Sequence, residues 1–256
     1  MDVRTPATSF FAGFGDAALF AFKAMRLAWT PPFEVSETIR QVYELGLRSA
    51  PLIAVSGVAV GVVLSMHTRA SLERFGAESM IPAGLAIALV RETGPLTAGL
   101  LLSGRIGAGI GAELGAMRVT EQIDALETLS YDPYAYLVVP RVLAGTMMFP
   151  IVVGLAMVIG VAAGWVASVL LLDLSSPDFV KGLRLFFTTF DVRYGLVKSA
   201  SFGAAVTLIG CMTGMRAEGG AEGVGRAATR AVVYSAITIL VLDAFWATVW
   251  LLGKSR

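Results

Sequence analysis

The 256-residue chain contains few of the residues on which common chemistries depend. Its one cysteine, Cys211, excludes a disulfide within the chain, and its one histidine, His67, leaves too few ligands for a metal site. We therefore expect no metal ion and no other cofactor. Charged residues make up 15% of the chain and the net charge is +1, so no basic surface for nucleic acid is predicted.

Nucleotide-binding and hydrolase motifs are also missing. The glycines of 220–226 have P-loop spacing, but Arg226-Ala227 stands where Lys-Ser/Thr is required. The glycines of 107–111 do not form GxGxxG after a strand, and the sequence contains no Ser-His-Asp or histidine-rich constellation that would support hydrolysis. The sequence predicts that this chain is not an enzyme by itself.

Apolar residues, in contrast, are abundant. They make up 56% of the chain and the mean hydropathy is +0.74, whereas soluble domains are about 45–50% apolar and about 25% charged. This composition predicts an all-α polytopic membrane protein with about five spans of about 20 residues. We expect the spans at 49–68, 80–104 with an extension to about 115, 142–172, 199–215 and 231–253.

The segments outside these spans are of two kinds. Residues 8–29 and 33–48 carry apolar residues at helical spacing with flanking charges, which predicts two amphipathic helices at the membrane interface. Residues 173–198 and 216–230 are polar and predict connections outside the membrane. We accordingly divide the chain into interfacial helices (1–48) and a five-span domain (49–256).

Arg91 and Glu92 lie in the middle of the second predicted span. Adjacent residues on a helix point about 100° apart, so each charge needs its own partner or a wet cavity. A lone arginine at mid-membrane costs about 2.5–3.5 kcal/mol on insertion scales. Asp243 lies at a comparable depth in the fifth span, so we hypothesise an Arg91–Asp243 contact with Glu92 facing a cavity. A purely architectural ion pair is the alternative.

Small residues recur every four positions along the second span, at Gly99, Ser103, Gly107, Gly111 and Gly115. They predict a helix face that another backbone can approach closely. The partner could be a helix of the same chain or of a second copy, across a dimer seam. Shorter pairs of this kind occur at Gly57/Gly61, Gly160/Gly164 and Gly210/Gly214.

The polar connection after this span contains a short amphipathic segment, Thr120–Leu129. Its apolar residues Ile123, Leu126 and Leu129 lie on one side and its acidic residues on the other. By itself the segment is equally consistent with a coupling element and with a solvated loop helix. A small excess of Lys and Arg favours a cytoplasmic N-terminus and an external C-terminus.

Several motifs together resemble the MlaE/YrbE family, the permease subunits of MCE-type ABC lipid transporters. The resemblance extends from the second to the fifth predicted span. It rests on Arg91-Glu92-Thr93-Gly94-Pro95, Gly104-Arg105, Ala112-Glu113-Leu114-Gly115-Ala116-Met117-Arg118, Thr120-Glu121-Gln122, Asp132-Pro133, Pro140-Arg141, Glu222-Gly223, Arg226-Ala227, Thr229-Arg230 and Leu242-Asp243.

The resemblance implies a homodimer in a bacterial inner membrane, with a cytoplasmic ATPase subunit on each copy and a periplasmic MCE-domain protein. It implies transport of phospholipid between inner and outer membranes, which maintains outer-membrane lipid asymmetry, although relatives carry sterols or other hydrophobic compounds. Lipid would lie near Arg91, Glu92, Phe75 and Asp243. The coupling helix, at about 119–130, would use Arg118, Thr120, Glu121, Ile123, Asp124 and Leu126.

Two other functions remain open at this stage. In an ion-coupled secondary transporter, Glu92 and Asp243 would be the titrating carboxylates, although the internal repeats common in such proteins are not apparent. An intramembrane lipid-modifying enzyme would have only Glu92, Asp243 and His67 for its chemistry.

Overall fold

A computed structural model describes residues 6–31, 34–171, 173–186 and 188–254, and among these it contains helices and no strand. This confirms the predicted all-α polytopic class. The α-helices, in chain order, are α1 (Pro6–Leu27), α2 (Val35–Gly46), α3 (Ala50–Leu72), α4 (Ile81–Ala88), α5 (Gly94–Leu102), α6 (Ala108–Val119), α7 (Gln122–Thr128), α8 (Val139–Leu171), α9 (Ser176–Phe186), α10 (Thr189–Met215) and α11 (Gly220–Lys254).

Short π-helical turns join several of these helices. Leu89–Thr93 connects α4 to α5, Ser103–Gly107 connects α5 to α6, and Tyr134–Val138 leads into α8. The continuous helix Ile81–Val119 is called span 2 below. Such π turns occur frequently at functional sites, because each inserts one residue into the helical register.

Five helical segments of the described chain are long and apolar enough to cross a membrane, as predicted. Two of the predicted boundaries are wrong. The fourth span begins at Thr189 rather than at residue 199, because Thr188 and Asp191 form a capping box and Lys198 is buried. The fifth begins at Gly220 rather than at residue 231, since Gly219 and Gly220 adopt positive φ and the following charged residues continue the helix.

The two N-terminal segments are helical, as expected. In α1 the side chains of Phe20 and Ala24 are buried, and Lys23 Nζ lies 3.6 Å from the ring centroid of Tyr134 at the start of the third span. Helix α2 packs against α8 and continues through the 3₁₀ turn Leu47–Ser49 into α3. Arg4 and Arg256 are among the basic residues whose distribution predicts a cytoplasmic N-terminus, and both lie outside the described residues.

Close packing of α3 on α8 depends on small residues that face one another. Backbone atoms of Gly57 and Gly61 approach those of Ala156 and Gly160, and one turn further Ser65 Oγ lies 2.7 Å from Ser168 Oγ. A Cβ at Gly61 would overlap the carbonyl oxygen of Gly160, a backbone atom that cannot rotate away. The predicted glycine pairs are therefore the contact surface of these two spans.

Gly61→Ala is expected to destabilise the fold by about 1–3 kcal/mol, because its methyl group would push two backbones apart. Gly109→Ala is the matched control: no heavy atom lies within 4 Å of its added Cβ, so the change should be neutral or mildly stabilising. Apparent melting temperatures of the purified proteins in detergent check both. Equal melting temperatures for the two variants would contradict the proposed packing.

Candidate functional site

A lysine inside the fourth span is the centre of a charged cluster. The side chain of Lys198 is 0% exposed, and its Nζ forms an ion pair with Glu92 Oε2 of span 2. On the other side Nζ lies 2.8 Å from Asp243 Oδ1 of α11, at an angle outside hydrogen-bond geometry. Nζ also donates to the carbonyl oxygen of Arg91 at 3.3 Å. One cation is thus shared by two carboxylates from two other helices.

The helices bring these groups to one level of the protein. At 1.5 Å per residue, Lys198 lies about 14 Å from the start of α10, and Glu92 and Asp243 lie about 17 Å from the nearby ends of span 2 and α11. Trp246 Nε1 donates to Ser201 Oγ at 2.9 Å and ties α11 to α10 beside the cluster. The charges therefore lie at membrane depth, on the side where α10 begins.

Arg91 belongs to a second branch of the same cluster. Its Nε donates to Asp191 Oδ1 at 2.6 Å, and its guanidinium carbon lies 4.7 Å from the ring centroid of Trp250. Asp191 Oδ2 accepts from the backbone N–H and the hydroxyl of Thr188, at 3.0 and 2.8 Å, and so caps α10. Arg91 therefore holds the start of α10 and the end of α11 against span 2.

The hypothesised Arg91–Asp243 contact is wrong. Asp243 pairs with Lys198, and Arg91 pairs with Asp191 instead. Arg91 and Asp243 do lie at similar depths, but spacing alone does not give the direction in which each side chain leaves its helix. Glu92, which was expected to face a cavity, pairs with Lys198, and its side chain is 43% exposed, against 18% for Asp243.

The cluster has one more carboxylate than cations. Arg91 and Lys198 face Glu92, Asp191 and Asp243, and the most accessible of the three carboxylates is Glu92. A half-exposed carboxylate at membrane depth favours a ligand with a positive charge or hydrogen-bond donors.

Sequence reasoning missed Asp191, Tyr194 and Lys198, because all three fell in the predicted polar connection. Their spacing of three and then four residues places them on one helix face, which was the available signal. All three are buried, and the Tyr194 hydroxyl has no hydrogen-bond partner within the described chain. Lys198 Nζ lies 5.5 Å from the Tyr194 ring centroid.

Phe75 is not part of this cluster. It ends a 3₁₀ turn after α3, followed by Gly76 at φ +62°, and it is 82% exposed. An apolar recess of about 260 Å³ lies elsewhere again, between α2 and the start of α8, where Val35, Ile39 and Leu143 line it. The structure thus joins Arg91, Glu92 and Asp243 in one site and leaves Phe75 on a turn at the end of α3.

The glycine face of span 2 is occupied within the chain. A Cβ at Gly99 would meet Phe202 and Ile239, one at Gly107 would meet Ser235, and one at Gly111 would meet Ala231. Further along, Gly115 faces Ala217 and Val224, and Ser103 is buried. The dimer-seam alternative is therefore wrong for this face, because α10 and α11 already cover it.

The predicted coupling segment forms the short helix α7. Thr120 Oγ1 donates to the carbonyl oxygen of Ala116 at 2.8 Å, and Glu121 has a left-handed backbone at φ +61° that turns the chain into α7. An Arg118–Asp124 ion pair spans this turn. The turn and its acidic residues Glu121 and Asp124 are exposed, so they are available to a partner.

Two of the residues assigned to coupling face the subunit instead. Ile123 is 2% exposed and lies in the hydrophobic core, and the half-buried Leu126 packs against that core. Their role in this structure is to hold α7 on its own subunit. The apolar side of α7 thus packs inward, and its acidic side is exposed.

Lys198→Met should destabilise the fold by about 3–5 kcal/mol, because removing the shared cation leaves a buried carboxylate without a counter-charge. Glu92→Gln should cost much less, since its side chain is half exposed. Lys198→Met combined with Asp243→Asn should recover part of the loss. Melting temperatures of the purified proteins measure all three, and equal losses for the two single variants would contradict the shared-cation geometry.

Comparison with known proteins identifies the relatives of this chain. The family model described as Permease MlaE matches residues 38–249. The chain is 42% identical to a probable ABC transporter permease protein of Rickettsia felis, over 89% of this chain and 88% of the relative. It is 32% identical to the intermembrane phospholipid transport system permease protein MlaE of Haemophilus influenzae, over 80% of this chain and 79% of the relative. The chain, a multi-pass protein with five apolar helices, therefore belongs to the MlaE permease family.

Proposed function

We propose that this chain is the membrane-spanning subunit of an ABC transporter that moves phospholipid between two membranes. The observation that carries the proposal is the Glu92–Lys198–Asp243 cluster, a polar site at membrane depth in a chain of the MlaE permease family. The name of the Haemophilus influenzae relative specifies phospholipid. Energy would come from a separate ATPase subunit.

Glu92 is the group proposed to meet the lipid. Its carboxylate is held at one side by Lys198 and is open at the other, so it can accept hydrogen bonds from an ammonium or hydroxyl headgroup. Asp243 and Arg91 would act indirectly, by fixing Lys198 and the π turn that carries Glu92. Phe75, exposed at the end of α3, would meet lipid chains on the same side of the membrane.

The proposed assembly has three kinds of protein. Two copies of this chain form a homodimer, an ATPase subunit binds the acidic side of each α7, and an MCE-domain protein covers the opposite side. The complex lies in the bacterial inner membrane with its N-terminus in the cytoplasm and its C-terminus in the periplasm. This orientation places the Lys198 cluster nearer the periplasmic side and α7 in the cytoplasm.

Glu92→Gln should reduce ATP-driven transfer of labelled phospholipid by the reconstituted complex about tenfold, the effect of losing about 1.4 kcal/mol. Glu92→Asp should retain part of the activity because it keeps the charge. Glu73→Gln is the control, since Glu73 is an exposed carboxylate beyond the end of α3. Full transfer by Glu92→Gln, or transfer by this chain without an ATPase subunit, would argue against the proposal; the second result would support an ion-coupled transporter.

Charge reversal at Glu121 or Asp124 should abolish lipid-stimulated ATP hydrolysis while the subunit stays folded. Because Asp124 also pairs with Arg118, the swapped variant Arg118→Asp with Asp124→Arg separates two explanations. If the ion pair alone matters, the swap restores stimulation; if Asp124 contacts the ATPase, the swap stays inactive, as we expect. Normal stimulated hydrolysis in the Glu121 and Asp124 single variants would remove α7 from the coupling path.

A further inference from the structure

Arg105 differs from the other ionisable residues of span 2 in having no counter-charge. Its Nη1 donates to Ser49 Oγ, a neutral group, and no carboxylate of the described chain lies within ion-pair distance of it. The other ionisable side chains of span 2 each face an opposite charge, in the pairs Arg91–Asp191, Glu92–Lys198, Glu113–Arg141 and Arg118–Asp124.

The surroundings of Arg105 are open on one side. Ser49 is buried at the start of α3 and donates to the carbonyl oxygen of Leu45 at 2.6 Å, so it anchors one edge of the guanidinium. Leu101 is 38% exposed, and no heavy atom lies within 4 Å of the position that a Cβ of Gly104 would take. The half-buried guanidinium therefore borders a surface with room for a ligand.

The position along the helix gives the level of this surface in the membrane. Arg105 is thirteen residues beyond Glu92, about 20 Å along span 2, toward the end that carries α7. Its partner Ser49 directly follows Arg48, the last charge before the uncharged first span. In the proposed orientation this is the cytoplasmic interface, where lipid phosphates lie at the edge of a hydrocarbon core about 30 Å thick.

We infer that Arg105 binds the phosphate group of a phospholipid in the cytoplasmic leaflet. The site is separate from the Glu92 cluster and has the opposite charge preference. A guanidinium offers several donors in a planar fork that matches phosphate oxygens, and only one of these donors is used by Ser49. The phosphate supplies the counter-charge that the protein itself does not.

A second copy of the chain is a poorer source of that counter-charge. In a dimer with its two-fold axis along the membrane normal, each residue of the partner lies at the depth of its equivalent. At the level of Arg105, Gly107 faces Ser235 and Val206, both neutral. The nearest carboxylate along span 2 is Glu113, about 12 Å away and paired with Arg141. Glu44 of the first span, five residues before Ser49, is paired with Arg48, so a lipid phosphate fits this level better than either carboxylate.

Photocrosslinking of the whole transporter complex tests the inference. A benzophenone amino acid replaces Leu101, and the complex is placed in micelles of dodecyl maltoside, a detergent without phosphate, that contain a trace of phosphatidylglycerol with a radiolabelled glycerol backbone. Labelling should fall about tenfold in Arg105→Gln and less in Arg105→Lys, the change expected from one lost charge-assisted hydrogen bond. Radiolabelled diacylglycerol, which has the chains but no phosphate, should label both variants and the probe-carrying protein that keeps Arg105 equally.

Other outcomes would overturn the inference. Equal loss of labelling by both lipids in Arg105→Gln would indicate a distorted surface, and no loss with either would exclude phosphate recognition. An adduct of twice the subunit mass in place of lipid would show that a second copy covers Leu101. Competition by millimolar inorganic phosphate would show a soluble anion as the ligand. Glu92→Gln should leave the labelling intact, so failure of this site and failure of the proposed transport site give different results.

Discussion

The need to neutralise charge inside a membrane is the constraint on which most of this structure depends. Lys198 is enclosed between Glu92 and Asp243, so span 2, α10 and α11 can occupy only the relative heights and rotations that bring these groups together. Such a cluster adds little net stability, because the desolvation of the ions offsets their attraction. Its effect is on register: any slip of one helix by a turn leaves a charge without its partner, at a cost of several kcal/mol.

The ion cluster can form only because the same helices approach closely further along. Gly210 and Gly214 of α10 lie against the backbone of Gly107 and Gly111, on the side of span 2 nearer to α7. Glycine contacts favour close approach at many registers, whereas ion pairs select one register but need the helices already in place. Close packing at one end and charge pairing at the other therefore define the arrangement of these helices together. The positions of the charged groups in the site therefore depend on both the glycine contacts and the ion pairs.

The sequence predicted the features that depend on one helix at a time. Long apolar runs predicted five spans, and a four-residue repeat predicted the close-packing face of span 2. What it did not predict depends on how helices face one another. Asp191 and Lys198 were predicted to lie in a connection outside the membrane, because charged residues are usual in loops. In the structure both are buried residues of α10. Their similar depth predicted that Asp243 pairs with Arg91, but the side of α11 on which Asp243 lies brings it to Lys198 instead. Likewise, Ile123 was assigned to a partner although its own subunit buries it.

Span 2 connects the two ends at which the proposed function requires contact. A continuous helix extends from the π turn that contains Glu92, through the π turn that contains Arg105, to the junction with α7 at Thr120. A π turn holds one residue more than an α turn, so converting one to the other rotates everything beyond it by about 100°. Such a rotation at the first π turn would withdraw Glu92 from Lys198, and the cost of an unpaired charge opposes it. A ligand that supplies the missing counter-charge lowers that cost. Charge pairing therefore opposes such a rotation, and a lipid headgroup that paired with Glu92 would reduce the opposition.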